Sequence, residues 1–304
     1  MIACCLHGRA ALASGRAAVQ SDWNYVAQKM RGAGIKNDFA QALRRAYEPG
    51  DFATVAELNS LLFLRKTDDH TPQVSKQAVL DVRQFMRAHK QAFFAAEKKY
   101  GVSRSVVAAL LWLESRYGNN AGRFHVASVF LSLAQVDQPQ VILHLRGQAA
   151  PRFTPRLTSA QSDKVERKAR DKAKWALQEL KALQQMYERD RQLTLSLRGS
   201  FAGAFGMPQF IPSSYVTYAR ASSTGKRAAD LTRADDAIHS VAHYLKVSGW
   251  RQARRPSHEK ALLKYNNSRD YARAILQLAD LAENQKARLP AAATKTKRRR
   301  GKKR

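Results

Sequence analysis

The chain has 304 residues, 44% of them hydrophobic and 9% aromatic, a composition that excludes a protein disordered throughout its length. Lys and Arg number 53 against 24 Asp and Glu, and the net charge of +29 predicts a polyanionic partner or environment: nucleic acid, an anionic membrane surface or an acidic cell-wall polymer. The longest apolar run, 106–113, is much shorter than the ~20 residues that cross a bilayer, so we expect no transmembrane segment. The two cysteines, Cys4 and Cys5, are adjacent, which excludes a disulfide framework.

Residues 1–20 precede the first helical pattern and form a separate N-terminal segment. Ile2-Ala3-Cys4 resembles the end of a lipoprotein signal whose upstream part is missing, although so short a match also arises by chance. His7, Gly8 and Arg9 interrupt the apolar residues before they make the core of a signal peptide. We therefore expect at most a remnant of a signal here, and no export signal is legible.

Helical periodicity dominates the chain from residue 21 onward. It predicts helices over 21–101 and a second helical block over 103–133. The breaks predicted in the first stretch are 32–34, 49–50 and 68–72. Residues 138–158 are predicted to be a long irregular loop, because this stretch contains Pro139, Gly147, Pro151 and Pro155. No strand pattern of useful length is present, so the predicted fold class is mainly α.

The second half of the chain contains further helical patterns and one glycine-rich loop. A charged helix is predicted over 163–190, and the run 199–215, with its three glycines and two prolines, is predicted to be a structured loop. Asp235 is expected to cap the next helix, and a final helix follows Ser268. The apolar residues of these helices are Trp175, Leu180, Leu183 and Met186; Ile238, Val241, Ala242 and Leu245; and Ala274, Ile275, Leu278 and Leu281.

Glu114 is the most informative single residue. It shares an apolar helical stripe with Val107, Leu110 and Leu111, and Gly118 ends the helix shortly after it. Burial and the negative end of the helix dipole both disfavour a carboxylate, so the pKa of Glu114 is expected to be raised toward the range of a general acid. The alternative is a helix-end glutamate whose stem packs while its carboxylate reaches water.

Two other patterns carry weaker signals. His239 and His243 have the spacing of a zinc-binding helix, but Ser240 stands where a metalloprotease has its glutamate, so we interpret them as a packing or solvated pair and predict no metal site. The basic runs are compatible with nucleic-acid binding, but aromatic residues are not interleaved with them. No nucleic-acid partner is therefore expected.

Three blocks, in this order, resemble the membrane-bound lytic murein transglycosylase B family. They are Glu114-Ser-Arg-Tyr-Gly118, Gly199-Ser-Phe-Ala-Gly-Ala-Phe-Gly-Met-Pro-Gln-Phe-Ile-Pro-Ser-Ser-Tyr215 and Asp236-Ala-Ile-His-Ser-Val-Ala-His-Tyr-Leu245. Lys264-Tyr-Asn-Asn-Ser268 with Tyr271 is similar to the closing Tyr-Asn motif of that family. The resemblance covers residues 21–283, and the long middle block makes chance agreement remote.

The resemblance implies a lysozyme-like α-helical catalytic domain with an N-terminal helical portion, which cleaves the MurNAc–GlcNAc β-1,4 bond of peptidoglycan. By the same resemblance Glu114 is the catalytic acid and base, Ser200 is the hydroxyl that hydrogen-bonds it, and Gln209 is an amide that binds glycan. Tyr265 and Asn266 are implied to lie in the cleft around the reacting sugar. The further substrate or structural contacts are Tyr117 and Tyr215.

The motifs supply one carboxylate, whereas ordinary glycosidases use two. A single glutamate of raised pKa can protonate the glycosidic oxygen and then accept the proton of the C6 hydroxyl of the same sugar, which attacks C1. The expected product is 1,6-anhydroMurNAc, formed without water. The alternatives are a hydrolytic muramidase of the same fold and a non-catalytic peptidoglycan-binding protein.

The sequence departs from the family pattern in two places. Members can carry a calcium loop rich in Asp before the Asp236 helix, but residues 219–230 contain one carboxylate and several cations, so we predict no metal and no cofactor. The stretch between Glu114 and Ser200 is longer than usual, and we interpret 136–198 as containing a basic insertion. The predicted catalytic domain is 21–284.

The end of the chain, 285–304, contains many cations and no acids and is predicted to be a disordered basic tail that contacts anionic cell-envelope polymers. Its cations are Lys286, Arg288, Lys295, Lys297, Arg298, Arg299, Arg300, Lys302, Lys303 and Arg304. The glycan strands of peptidoglycan are the expected substrate, and the periplasm or cell envelope is the expected location.

Overall fold

The structure, a computed structural model, describes residues 19–64, 73–153, 157–223 and 228–284. Within these ranges the chain forms fourteen α-helices and one antiparallel pair of two-residue strands. The first seven helices are α1 (Trp23–Gly32), α2 (Asn37–Ala46), α3 (Phe52–Ser60), α4 (Lys76–Ala88), α5 (Lys90–Tyr100), α6 (Arg104–Ser115) and α7 (Val126–Leu133). The other seven are α8 (Pro139–Ala149), α9 (Ser159–Arg189), α10 (Arg191–Ser196), α11 (Pro212–Tyr218), α12 (Ala234–Val247), α13 (Arg255–Tyr265) and α14 (Arg269–Glu283). The predicted mainly α class is confirmed.

The core is built around α6. Every residue of this helix from Ser105 to Ser115 is buried, and α4, α5, α12 and α14 pack against it. A helix that is apolar on all sides belongs in the interior, because no face of it gains from contact with water. The predicted stripe of Val107, Leu110 and Leu111 does point inward, but the other faces of α6 are buried as well.

The charged helix predicted over 163–190 is present as α9, whose 31 residues begin with a capping box formed by Thr158 and Gln161. Its inner side is buried against α3, α7, α8, α10 and α11. The buried residues include the predicted Leu180, Leu183 and Met186, while Trp175 is partly buried. The predicted basic insertion 136–198 therefore includes a helix, α9, that packs its apolar side into the core.

One prediction about the middle of the chain is wrong. Residues 138–158 are not an irregular loop, since α8 starts at Pro139, where a missing N–H is harmless and the fixed φ suits a helix. Burial of Val141, Ile142 and Leu145 outweighs the weak helix propensity of Gly147. The helical block 103–133 contains two helices: α6 ends at Ser115, close to the stop predicted at Gly118, and β1 (Phe124–His125) precedes α7.

The C-terminal part differs from the prediction in two details. The N-cap of α12 is Arg233, and Asp235 lies in the first turn, where a carboxylate favours the positive end of the helix dipole. Helix α13 was not predicted, because its sequence has few apolar residues and buries only one side, through Ser257, Ala261, Leu262 and Tyr265. The predicted apolar faces of α12 and α14 are buried as expected.

The predicted break at 32–34 is confirmed, since α1 ends at Gly32. Residues 49–51 form a short 3-10 helix before α3, which agrees with the break at 49–50. The break at 68–72, most of the N-terminal segment 1–20 and the tail 285–304 lie outside the described residues. None of the described helices combines the length and the apolar character that crossing a bilayer requires.

Candidate active site

Glu114 occupies the last turn of α6 and is only 3% exposed. Its Oε1 accepts a hydrogen bond from the hydroxyl of Tyr271, in the first turn of α14. Its Oε2 is buried and has no hydrogen-bond partner among the described residues. The alternative in which the carboxylate reaches water is therefore wrong for this structure.

Burial raises the pKa of Glu114 to about 7, while the hydrogen bond from Tyr271 acts in the opposite direction. The burial effect is larger because the carboxylate loses its hydration and gains a single donor in return. A carboxyl group with this pKa is partly protonated at neutral pH. It can then donate a proton and, once ionised, accept one, which are the two roles of a general acid and base.

Tyr271 is placed by the cap of its own helix. The side chain of Ser268 accepts a hydrogen bond from the backbone N–H of Tyr271, which fixes the start of α14 beside the end of α6. The ring of Tyr271 is fully buried, with its centroid 6.5 Å from that of Tyr265. The motif containing Tyr271 was recognised in the sequence, but its contact with Glu114 was not, because no local pattern reports a contact across 157 positions.

The glycine-rich run 199–215 packs against the end of α6. The hydroxyl of Ser115 donates to the carbonyl of Met207 at 2.7 Å and accepts from the N–H of Gly118 at 2.8 Å. Gly206 has a φ of +71°, and a Cβ at this position would lie 2.5 Å from the Cβ of Leu231. Two of the sequence blocks, around Glu114 and around Met207, are thus joined directly by the hydrogen bond from Ser115 to Met207.

Ser200 does not hydrogen-bond Glu114, which corrects the role that the resemblance implied. Its hydroxyl oxygen accepts from the backbone N–H groups of Ala202 and Ala204, at 3.3 and 3.2 Å. A small hydroxyl at the start of a tight turn readily serves the backbone of that turn. The donor that reaches Glu114 is instead Tyr271.

Gln209 is buried and has a left-handed φ of 52°. Its side-chain amide donates to the carbonyls of Ala121 and Gly206, at 3.1 and 3.0 Å. This amide therefore ties the glycine-rich run to the loop that follows α6. Its predicted role in glycan binding stays a prediction.

The tyrosines predicted from the motifs hold the backbone of the site. Tyr265 is buried and its hydroxyl donates to the carbonyl of Pro208, while Asn266 follows it at the end of α13 and is half-buried.

Tyr215 is also buried, and its hydroxyl donates to the carbonyl of Ala229 at 2.6 Å. Tyr117 stacks on Phe85 with ring centroids 3.7 Å apart and donates to the carbonyl of Ala108. Their roles as substrate contacts stay predictions.

The other two buried carboxylates of the described chain are Glu179 and Asp236. Glu179 accepts from both the backbone N–H and the hydroxyl of Ser213, at the start of α11. Asp236 accepts from the N–H and hydroxyl of Ser222 and from the N–H of Asp230. Both oxygens of Glu179 and of Asp236 accept hydrogen bonds. Among these three buried carboxylates, Glu114 is therefore the one with an oxygen that has no hydrogen-bond partner.

The two histidines of α12 are packing residues. His239 meets the ring of Tyr100 edge-on at 6.0 Å, and Nδ1 of His243 lies 3.0 Å from the carbonyl oxygen of Tyr218. Burial lowers the pKa of each. The predicted absence of a calcium site stays a prediction, since part of 219–230 lies outside the described residues.

Comparisons with known proteins give one family. The curated membrane-bound lytic murein transglycosylase B of Escherichia coli is 27% identical over 166 residues, which are 55% of this chain and 37% of that protein. The crystal structure of soluble lytic transglycosylase SltB1 from Pseudomonas aeruginosa has a TM-score of 0.64 and 19% identity, covering 86% of this chain and 97% of that one. SltB3 from Pseudomonas aeruginosa, in complex with NAG-NAM-pentapeptide, has a TM-score of 0.63 and 20% identity, covering 86% of this chain and 78% of that one.

The two structural matches establish a shared lysozyme-like helical fold. The profile of the transglycosylase SLT domain matches residues 18–259, which is most of the chain and includes Glu114 and the glycine-rich run. The chain therefore belongs to the transglycosylase SLT domain family, as the sequence motifs had indicated.

Proposed function

We propose that this protein is a lytic transglycosylase that cleaves the MurNAc–GlcNAc β-1,4 bond of peptidoglycan and leaves a 1,6-anhydroMurNAc end. The observation that carries the proposal is Glu114, a buried carboxyl group with a pKa of about 7 and one oxygen without a partner in the described structure. It lies in a domain of the transglycosylase SLT family, and a relative with the same fold was crystallised with NAG-NAM-pentapeptide.

The chemistry follows from the two oxygens of this one carboxyl group. Tyr271 holds Oε1, so Oε2 is the oxygen available to the substrate. The protonated Glu114 donates to the glycosidic oxygen as the bond to C1 breaks, and the resulting carboxylate accepts the proton of the C6 hydroxyl as its oxygen bonds to C1. The ring closes within one sugar, so positioning supplies much of what a second carboxylate supplies in other glycosidases. Because Oε2 is covered in this structure, productive binding requires a local movement that exposes it.

A hydrolytic muramidase of the same fold is the competing function. It needs a positioned water and commonly a second carboxylate to activate it. The other buried carboxylates of the described residues, Glu179 and Asp236, accept hydrogen bonds from Ser213 and from Ser222 and Asp230. That only one buried carboxylate in the described part of the chain has an unpartnered oxygen favours the transglycosylase reaction.

Mass spectrometry of purified peptidoglycan after incubation with the protein separates the candidates. The transglycosylase reaction gives anhydro products, whereas hydrolysis gives products heavier by one water. The Glu114→Gln variant is the matched control and should give neither. Binding to peptidoglycan without either product would identify a non-catalytic wall-binding protein and would overturn the proposal.

The proposed substrate implies the periplasm or cell envelope as the location, and the basic segment 285–304 is proposed to bind anionic polymer there. Removing this segment should spare cleavage of short soluble glycans but weaken binding to whole sacculi. The Debye length falls from ~30 Å at 0.01 M to ~8 Å at 0.15 M, so the difference should shrink with added salt. Sedimentation with insoluble peptidoglycan over a salt series measures this, and salt-independent binding would contradict it.

A further inference from the structure

A cavity of about 430 Å³ opens between the end of α3 and the middle of α9, apart from Glu114. Asn59 and Ser60 of α3 line one side of it, and Lys168, Asp171, Lys172 and Trp175 of α9 line the other. The spacing of these α9 residues puts them on one side of the helix over two turns. The cavity is large enough for a few residues of a peptide or one sugar.

Two polar groups that line this cavity, the Ser60 hydroxyl and the Lys172 ammonium, have no hydrogen-bond or ion-pair partner among the described residues. Ser60 is 2% exposed, and its Oγ has no hydrogen-bond partner among the described residues. The Nζ of Lys172 lies 4.2 Å from the centre of the Trp175 ring, and no carboxylate of the described chain is within ion-pair distance of it. Burial, and then the charge of Lys168, lower the pKa of Lys172.

A buried hydroxyl without a partner and a half-buried ammonium without a counter-ion both lose free energy relative to water. A bound carboxylate would serve both, since it accepts from the ammonium and from the Ser60 hydroxyl together. Asp171 adds a negative charge at the same cavity. The set of two ammonium groups and one carboxylate therefore fits a ligand that carries both carboxylates and an amino group, and it disfavours a polyphosphate, which Asp171 would repel.

Residues that line the cavity contact the glycine-rich run 199–215, which packs beside Glu114. The side-chain amide of Asn59 donates to the carbonyl of Phe201 at 2.9 Å. On the other side, Trp175 packs edge-on against Phe130 at 5.4 Å, and a Cβ on Gly203 would lie 2.4 Å from the Phe130 ring. A ligand held here therefore lies next to the segment that packs under the end of α6.

We propose that this cavity is an accessory subsite for the peptide stem of peptidoglycan, with stem carboxylates on Lys172, Lys168 and the Ser60 hydroxyl and the stem amino group near Asp171. The inference rests on the proposed function for its choice of ligand. It assigns substrate recognition to α9, the long basic helix whose charge the reaction at Glu114 does not use.

Titration calorimetry with a free stem tetrapeptide, which carries carboxylates and a side-chain amine, tests the subsite without requiring cleavage. Lys172→Met removes the half-buried ammonium and keeps the length of the side chain, and it should weaken binding about tenfold, the effect of one lost charge-assisted hydrogen bond. Lys172→Arg keeps the charge and should restore most of the affinity. Lys174→Met removes the same charge from an exposed position of α9 and should leave the affinity unchanged.

The outcomes distinguish the subsite from the enzymatic activity. If the peptide binds and depends on Lys172 while no glycan is cleaved, the subsite stands and the proposed function fails. If glycan is cleaved but Lys172→Met binds the peptide as the wild type does, the subsite is overturned. Inorganic phosphate that binds as tightly as the peptide and with the same dependence on Lys172 would show a general anion site and would also overturn the assignment.

Discussion

The buried glutamates Glu179 and Glu114 differ in the number of hydrogen bonds that their carboxylates accept. Glu179, where α9 meets α11, is 2% exposed, and Glu114, at the end of α6, is 3% exposed. Burial raises the pKa of both. Glu179 receives hydrogen bonds from the N–H and the hydroxyl of Ser213, one on each oxygen, at 2.9 and 2.8 Å. Glu114 receives one, from Tyr271, and its second oxygen has none within the described structure.

This difference is the basis on which we propose that Glu179 is structural and Glu114 reactive. At the α9–α11 contact the glutamate satisfies the start of a helix, which offsets the free energy of burying its charge. At the end of α6 the protein leaves the carboxyl under-satisfied, so its proton is held near neutral pH and can be given to a ligand. Two equally buried carboxylates can therefore differ in function, because the number of hydrogen-bond donors around each one differs.

The largest expected effect is on activity in Glu114→Gln. The amide keeps the shape of the side chain and can still accept from Tyr271, but it cannot transfer a proton. General acid–base transfer contributes ~10²–10⁴-fold, so the rate of release of anhydro products should fall by at least that range. Glu179→Gln is the matched control and should retain activity within a few-fold, measured on the same peptidoglycan.

Two results would contradict the distinction between Glu114 and Glu179. If Glu114→Gln keeps near-wild-type turnover while its melting curve is unchanged, the reaction is carried out elsewhere. If Glu179→Gln loses as much activity as Glu114→Gln and remains folded, the distinction between the two glutamates is wrong.

The second effect is on stability as a function of pH. The pKa of Glu114 is about 7 in the folded chain, against its ordinary value of 4.5. Between these values the folded state keeps a proton that the unfolded chain releases, so the free energy of unfolding falls as pH rises from about 4.5 to about 7 and then levels off. The decrease from this group is on the order of 3 kcal/mol.

Urea denaturation of the wild type and of Glu114→Gln from pH 4 to pH 8 measures this contribution. The amide does not titrate, so the difference in unfolding free energy between the two proteins should grow in favour of Glu114→Gln as pH rises through this window. A difference that is independent of pH would show that Glu114 has an ordinary pKa.

A third effect, on stability alone, is expected from Glu179→Ala. Removing the carboxylate leaves the N–H and hydroxyl of Ser213 without their partner at the start of α11, which should reduce the free energy of unfolding by about 1–3 kcal/mol. Thermal or urea unfolding measures it, with the exposed Glu188→Ala on the same helix as the control. An unchanged stability would mean that water replaces the carboxylate at no loss.

The smallest effect concerns Tyr271→Phe. The hydrogen bond from Tyr271 lowers the pKa of Glu114, so its loss should raise that pKa further, by up to about one unit. The alkaline limb of the pH–rate profile should move to higher pH by the same amount. Tyr215→Phe also loses a buried hydroxyl contact, to Ala229, and should leave the profile in place. An unchanged profile in Tyr271→Phe would show that this hydrogen bond does not lower the pKa of Glu114, and a shift to lower pH would show that its effect has the opposite sign.

The sequence predicted the helical class, the family and the inward position of Glu114, because these depend on local periodicity and on contiguous motifs. It was wrong about residues 138–158, where proline positions were read as breaks although Pro139 begins a helix. It also missed α13, whose polar residues give little periodic signal. These errors share one cause, which is that burial against other helices outweighs local propensity.

The sequence by itself determined that a glutamate lies on an apolar helix within a family motif, and that the chain has a large positive charge. Only the tertiary structure decided which group touches that glutamate: Tyr271, from a helix far along the chain, and not Ser200. It also separated Glu114 from Glu179, which are both glutamates on long helical patterns in the sequence. The physical reason is that a pKa depends on the donors and solvent around a group, and packing between distant segments sets both.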